Sequence, residues 1–254
     1  MSTYRVKGGL NNALRRWWPL LILLGWWQLT VSVSNVSPLI VVPPEVVVRQ
    51  LISPGWMMSS LGWTMGTTVL GLALGMVMGV ALSLASWWSR MVRAMVTPSA
   101  MMLRTAPIVA FIPAIAAIVG YNSKTVLVVA AVFSFFPTFV FVSAGLAKTP
   151  LGSNDLLQVL GARRASHLLY LAMPSAVPGI LLALRISAPG AILGALGAEF
   201  LVGPKGLGSL LRETQFNLQT DRSWAIGVAV TVISLLSYQL ASLMDRVIGQ
   251  RFVA

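Results

Sequence analysis

The sequence contains no cysteine, a single histidine and only six acidic residues among its 254 positions. The absence of cysteine excludes disulfides, thiolate nucleophiles and cysteine-based metal sites. With His167 as the lone histidine, most metal centres and acid–base catalytic sets are excluded too, so no catalytic or metal-binding residues are predicted. Charged residues make up 9% of the chain, against about 25% in soluble domains. Such a low content argues against a soluble globular protein.

Apolar residues are abundant instead, at 57% of the chain. A membrane-spanning helix needs about 20 mostly apolar residues, and six segments of the sequence qualify. We therefore predict an all-α, polytopic membrane protein with one transmembrane domain, residues 18–250, after an N-terminal segment of residues 1–17. A β-barrel is disfavoured because the apolar runs are continuous rather than alternating. The predicted spans are 18–36, 61–86, 98–120, 123–147, 174–202 and 224–248.

Basic residues outnumber acidic ones by 18 to 6, a net charge of +12. In a soluble protein this excess would suggest nucleic-acid binding, but in a membrane protein it first indicates which loops stay in the cytoplasm. With the N-terminus inside, eleven basic residues fall on the cytoplasmic side and five outside. We therefore predict that both termini are cytoplasmic and that no nucleic acid is bound.

The predicted cytoplasmic loop between spans four and five, residues 148–174, has an unusual pattern. A short helix with an apolar face around Leu156 is predicted to end at Gly161, because glycine readily adopts the left-handed conformation that terminates helices. A second short helix is predicted to run from Arg163 and to be closed by Pro174. Two short amphipathic helices around a glycine form a surface suited to docking a soluble partner.

The spacing in this loop resembles the EAA loop of ABC-importer permeases. That motif has an acidic residue and two small residues, three further residues, a glycine, nine residues, and then an aliphatic-x-aliphatic-proline ending. All the spacings agree, although aspartate replaces glutamate and two leucines replace two alanines in the opening triplet. The resemblance implies an ATPase-coupling loop that contains Asp155, Leu156, Leu157, Gly161, Ala162, Arg163, Arg164 and Pro174.

Other stretches resemble the permease subfamily that imports sulfonates, taurine, nitrate and related small molecules. They occur in the order expected of that subfamily and extend the resemblance over roughly residues 38–250. The stretches are 42–46, 103–113, 135–137, 144–146, 198–199, 206–208, 218–222 and 245–246.

This resemblance implies a type I, MetI-like permease fold in a bacterial inner membrane. It also implies that a second permease chain pairs with this one, expected as a homodimer in membrane lipid, that two ATPase subunits dock at the cytoplasmic side, and that an extracytoplasmic binding protein delivers the solute. ATP and Mg would be bound by the ATPase, since this chain has no Walker motif and needs no cofactor. The implied substrate is a small anion such as a sulfonate, taurine or nitrate; the alternative is a vitamin precursor or another neutral molecule.

Prolines within the predicted spans are candidates for the translocation path. Pro107 and Pro113 each remove a helical hydrogen bond and clash with the preceding turn. Membrane helices tolerate such breaks where neighbouring helices or cavity water satisfy the freed carbonyls. These prolines therefore indicate either kinks beside a path or simple packing kinks.

Three ionisable residues fall within the predicted spans, where charge is costly and usually faces the bundle interior or water. Arg104 and Arg185 either extend to the cytoplasmic interface or provide a basic lining for an anion. Glu199 either caps a network at the outer end, near Gly203 and Lys205, or lines the path.

Two other functions are compatible with a polytopic membrane protein: an ion-coupled secondary carrier and a membrane-embedded enzyme. An ion-coupled secondary carrier would use Glu199 as its coupling acid, but six spans are few for such carriers and no inverted repeat is evident. A membrane-embedded enzyme lacks a nucleophile–base pair or metal set. The sequence therefore favours a transport subunit that is not itself an enzyme.

Overall fold

The computed structural model describes residues 7–33, 40–105, 107–148 and 152–249, and within these ranges all regular secondary structure is helical. Short 3-10 turns cover Pro54–Trp56 and Ile108–Phe111, and a π-turn covers Leu168–Ala172. The α-helices are α1 (Lys7–Val33), α2 (Pro44–Ile52), α3 (Met58–Trp88), α4 (Arg90–Thr105), α5 (Ile112–Val119), α6 (Ser123–Ala147), α7 (Ser153–Val159), α8 (Arg164–His167), α9 (Met173–Leu201), α10 (Leu207–Phe216) and α11 (Thr220–Gly249).

The chain divides into two compact units. The smaller unit comprises residues 1–54 and 214–227, and the larger comprises residues 55–213 and 228–254. In the smaller unit, Trp27 of α1 stacks on Trp224 at the start of α11, with ring centroids 5.2 Å apart. Gln50 of α2 also donates a hydrogen bond to Asp221, at 2.6 Å. These contacts tie α1 and α2 to the beginning of α11.

The larger unit is built around α3, α6 and α9, with α6 in extensive contact with both of the others. Its core lies where small and β-branched side chains meet, including Val126, Val129 and Ala195, which are fully buried. Gly71, Gly75 and Gly79 recur every four residues along α3 and lie against α6. This spacing places them on one helix face, where the absence of side chains permits close approach. The glycine face therefore serves packing within the chain.

Substituting Gly75 with leucine is expected to destabilise the larger unit. A side chain there would run into the backbone of Ala131 and the side chain of Ser134, so α3 and α6 would have to separate. Gly66→Ala is the matched control, because nothing lies within 4 Å of its Cβ position. Thermal unfolding in detergent should show a lower Tm for Gly75→Leu only; an unchanged Tm would contradict this packing.

Four helices of the described chain are long and apolar enough to cross a membrane: Met58–Trp88, Ser123–Ala147, Arg164–Leu201 and Thr220–Gly249. They coincide with the second, fourth, fifth and sixth predicted spans. Shorter apolar helices, Ile22–Val33 and Ile108–Val119, lie at the first and third. The all-helical, membrane-spanning class is thus confirmed, and the count of six spans stays a prediction.

The third predicted span, 98–120, is not one uninterrupted helix. Helix α4 begins earlier, at Arg90, and ends at Thr105; Pro107 then has ψ of 92°, an extended conformation. A 3-10 turn follows, and Pro113 lies in the first turn of α5, where a missing N–H costs nothing. The two prolines therefore divide the segment rather than bend it.

Much of the apolar surface of α3 is not covered by any other residue that the structure describes. Its exposed residues point away from the glycine face that packs on α6, as expected for a helix that meets lipid or another subunit. The exposed residues include Val69, Leu70, Leu74, Val77 and Met78.

Candidate functional site

The segment predicted to dock a partner forms a helix and a glycine turn. Helix α7 ends in hydrogen bonds from the N–H of Leu160 to Leu156 O, at 3.0 Å, and from the N–H of Ala162 to Leu157 O, at 2.9 Å. Gly161 has φ of +68°, so the left-handed turn predicted at this glycine is present. The backbone geometry of α7 and its turn matches the expectation from the sequence.

The turn presents an apolar surface that nothing in the described chain covers. Leu156, Val159 and Leu160 are 60%, 85% and 69% exposed, and Asp155 beside them is also exposed. Clustered apolar side chains at this level of exposure mark an interaction surface. We call residues 153–163 the docking turn.

The prediction that a second short helix closes at Pro174 is wrong. Helix α8 passes through the π-turn Leu168–Ala172 directly into α9, and Pro174 lies in the first turn of α9. The wider π-turn precedes the proline ring, which would clash with an ordinary α-helical turn at that point. The result is one helical segment of 38 residues, Arg164–Leu201, about 57 Å long at 1.5 Å per residue.

The start of this long segment is attached to the end of α3 through an aromatic cluster. The guanidinium of Arg164 lies over the rings of Trp87 and Trp88, at 5.7 and 5.4 Å, and donates a hydrogen bond to Trp87 O at 3.4 Å. The ring of His167 stacks on Trp87 at 5.6 Å. Arg163 and Arg164 are both exposed, and Arg164 is the one that lies over the two indole rings.

Of the candidate path residues, Arg104 has a side chain that lies outside the described part of the chain. Pro107 and Pro113 bound the 3-10 turn between α4 and α5. Arg185, on α9, has its guanidinium 3.7 Å from the carboxylate of Asp245, and its side chain is about one-third exposed. It also donates a hydrogen bond to the hydroxyl of Tyr238 and lies over that ring, 4.6 Å from the centroid.

The partners of Arg185 were not identified from the sequence. Asp245 lies in one of the stretches that resemble the permease subfamily, and Tyr238 lies in none of them. An aspartate near the C-terminal end of the last predicted span, together with an arginine within another span, is the signal that would have suggested the ion pair.

Glu199 is completely buried near the C-terminal end of α9. Its carboxylate accepts hydrogen bonds from Thr64 Oγ1 of α3, at 2.8 and 3.0 Å, and from the N–H of Gly208, at 3.0 Å. Thr64 Oγ1 in turn accepts from the N–H of Leu207, at 2.8 Å. Glu199 and Thr64 thus cap the first free N–H groups of α10. The carboxylate therefore belongs to a buried hydrogen-bonded network that joins α3, α9 and α10.

The glycines that follow Glu199 make this arrangement possible. Gly206 has φ of +114° and lies against the carboxylate, where any Cβ would collide with it. Gly208 lies against the Cβ of Glu199 and the backbone of Leu196. We call Glu199, Thr64 and the N-terminus of α10, which lie at the end of α9 that we predict to face outward, the outer clamp. Thr64 was missed by sequence reasoning, because its partner is 135 residues away.

Comparison with known proteins gives a family match. Residues 71–253 match the family described as "Binding-protein-dependent transport system inner membrane component". The formylaminopyrimidine transport permease protein ThiX of Halalkalibacterium halodurans is 30% identical over 200 residues, covering 78% of this chain and 80% of ThiX. The taurine transport system permease protein TauC of Escherichia coli is 28% identical over 231 residues, covering 87% and 82%.

Solved structures show the same fold. A chain of an amino acid ABC transporter crystallised with histidines superposes with a TM-score of 0.66 at 19% identity, covering 79% of this chain and 97% of that one. A chain of the inward-facing MetNI methionine ABC transporter gives 0.63 at 18% identity, covering 77% and 97%. These similarities confirm the MetI-like permease fold.

Proposed function

This chain belongs to the family of binding-protein-dependent inner-membrane transport components and is a permease subunit of an ABC importer, not an enzyme; we propose that its docking turn engages an ATPase subunit and that its spans line the path of a small solute. The observation that carries the proposal is the uncovered apolar surface of the docking turn, which is followed directly by a 38-residue helix. A partner that moves the turn would therefore move a membrane-spanning helix with it.

The two ends of this helix are held differently. At the cytoplasmic end, Arg164 and His167 lie on the indole ring of Trp87. At the outer end, Glu199 holds the N-terminus of α10 and Thr64 of α3. We infer that displacement of the docking turn is transmitted along Arg164–Leu201 to α10, so that ATP binding by the partner changes access at the outer side. In this scheme the chain transmits the displacement, and ATP and Mg are bound by the ATPase.

The proposed assembly follows from family membership and from the distribution of charge. It contains two permease chains, a homodimer in our proposal, with two ATPase subunits on the side of the docking turn and an extracytoplasmic binding protein opposite. The chain crosses a bacterial inner membrane several times. The excess of basic residues in the loops on the side of the docking turn supports cytoplasmic termini.

The substrate we propose is a small anion of the sulfonate, taurine or nitrate class. The similarity to TauC supports this class, as does Arg185, a partly exposed cation inside a span. The alternative class is neutral vitamin precursors. The similarity to ThiX supports this class, as does the pairing of Arg185 with Asp245, which balances the charge of the arginine. The ligand of the binding protein that works with this chain would separate the two classes.

Reconstitution tests the function directly. The tagged chain should co-purify with an ATPase, and proteoliposomes should take up solute only with internal ATP and external binding protein. Uptake that survives removal of ATP but stops when the proton gradient is collapsed would instead establish an ion-coupled carrier.

Neutralising Arg185 is expected to impair transport more than assembly. Arg185→Gln and Asp245→Asn both remove the same ion pair, so a purely structural role predicts equal effects. If Arg185 contacts an anionic solute, Arg185→Gln will raise the KM for uptake by about tenfold, an energy of ~1.4 kcal/mol, and Asp245→Asn will not. Equal KM values in the two variants would show that Arg185 has only a structural role.

A further inference from the structure

A cavity of about 240 Å³ lies at the end of α3 that carries the aromatic cluster. Its walls come from α3, from the end of α6 and from Arg93 of α4. None of the residues assigned above to docking, to the clamp or to the path lines it. The lining residues are Ser83, Ser86, Trp87, Arg93, Phe139, Ser143, Ala144, Leu146 and Ala147.

The polar groups of this cavity include a hydroxyl with no hydrogen-bond partner among the residues that the structure describes. Ser83 Oγ donates to the carbonyls of Gly79 and Phe139, and Ser143 Oγ donates to Ser83 Oγ at 3.1 Å. Ser86 is 4% exposed, yet its Oγ makes no hydrogen bond within the described part of the chain. A buried hydroxyl without a partner is energetically unfavourable, so a ligand atom that accepts its proton would be favoured.

A cation is positioned beside that hydroxyl. Arg93 Nε donates to the backbone carbonyl of Ser86 at 3.2 Å, which fixes the guanidinium at the cavity while its side chain remains exposed. A guanidinium next to a free hydroxyl is a donor set for an oxyanion, and it matches phosphate oxygens well. The site therefore fits a phosphate group.

The surroundings indicate that this phosphate belongs to a lipid. Trp87 and Trp88 lie at the end of a membrane-spanning helix, where indole rings mark the headgroup level. Much of the cavity wall is apolar, as at Phe139 and Leu146. Deeper along α3, a second cavity has only apolar lining residues, Met76, Val77, Val80, Ala81 and Leu84, as an acyl chain requires.

We propose that this cavity binds the headgroup of an anionic phospholipid of the cytoplasmic leaflet. Arg93 and the Ser86 hydroxyl hold the phosphate, and the acyl chains extend along the apolar side of α3. Basic pockets between spans on the cytoplasmic side are suited to such headgroups. The assignment to the cytoplasmic leaflet rests on the proposed orientation of the chain, whereas binding itself is independent of transport.

Native mass spectrometry of the full chain, titrated in detergent with phosphatidylglycerol or phosphatidylcholine, tests the proposal. The wild-type chain should retain phosphatidylglycerol in preference to phosphatidylcholine. Arg93→Gln should weaken phosphatidylglycerol binding about fivefold, since one basic residue near the headgroups contributes ~1 kcal/mol. Ser86→Ala should weaken it in the same direction. Arg90→Gln is the matched control, because Arg90 is an exposed arginine of the same helix that does not line the cavity.

Each other outcome overturns the proposal. Equal retention of the two lipids, or equal loss in Arg93→Gln and Arg90→Gln, would show that no specific headgroup site exists. Displacement of bound lipid by millimolar inorganic phosphate, with phosphate retained in its place, would show a site for a free anion instead. Circular dichroism and size-exclusion profiles identical to wild type ensure that a variant has not simply unfolded. Because lipid retention is measured without transport, a failed uptake assay does not affect this result.

Discussion

Replacing Gly161 with glutamate is expected to abolish association with the ATPase and to reduce ATP-driven uptake by more than about tenfold. Gly161 has φ of +68°, a conformation that costs residues with a side chain about 1–2 kcal/mol. The glutamate would also bring a charge to the apolar surface formed by Leu156 and Leu160, where a desolvated, unpaired carboxylate is strongly unfavourable. Co-purification of the tagged chain with its ATPase gives the first measurement, and uptake by proteoliposomes gives the second.

Gly161→Asn separates the effect of the left-handed backbone conformation from the effect of the added charge. Asparagine tolerates the left-handed conformation better than other residues with a side chain and adds no charge, so this variant should retain most of the association. Nothing within 4 Å would obstruct the new Cβ, which leaves conformation and charge as the variables. If Gly161→Glu assembles and transports like wild type, the docking turn does not contact the ATPase, although the chain would remain a permease by family.

Removing the carboxylate of Glu199 is expected to release α10 from α9. In Glu199→Ala the hydroxyl of Thr64 and the N–H of Gly208 both lose their acceptor inside a closed site. Each unsatisfied buried donor costs about 1–3 kcal/mol, so the start of α10 should lose several kcal/mol of local stability. Hydrogen–deuterium exchange at residues 207–212 should accelerate by at least about tenfold, equivalent to ~1.4 kcal/mol. Uptake should fall while basal ATPase activity persists.

Glu199→Gln is the conservative control, since its amide oxygen can still accept from Thr64 and Gly208. It should keep exchange at α10 close to wild type and preserve much of the uptake. Gly208→Ala should behave like Glu199→Ala, because its methyl group would lie 2.6 Å from the Cβ of Glu199. If Glu199→Ala leaves exchange unchanged, the outer clamp does not hold α10. If hydrogen–deuterium exchange at α10 rises and uptake stays normal, α10 has no part in coupling ATP binding to transport.

The docking turn was predictable from the sequence because its determinants are local. A left-handed glycine after a short amphipathic helix follows from residues within one turn of each other, and α7 ends as expected. The continuation through Pro174 was not predictable by the same reasoning. A proline ordinarily closes a helix, and only a π-turn placed before it allows α8 and α9 to join.

The prolines of the third predicted span show a similar limit. Apolar composition over residues 98–120 indicates a span, and it does not reveal where the helix stops. Pro107 takes an extended conformation, so α4 and α5 are separate helices with a 3-10 turn between them. Hydropathy reports the environment that a segment prefers, whereas continuity depends on backbone geometry at individual residues.

By itself, the sequence determined that this chain is an all-helical membrane protein and which of its loops carry the excess of positive charge, because apolar runs and charge asymmetry are summed along the chain. It also determined the position of the docking turn, which depends on neighbouring residues. Only the tertiary structure decided which partners the charged residues within the spans contact. Arg185 forms a hydrogen bond with Tyr238, which is 53 residues away in the sequence, and Glu199 forms one with Thr64, which is 135 residues away. Pairing over such distances is set by how the helices pack, and no local pattern encodes it.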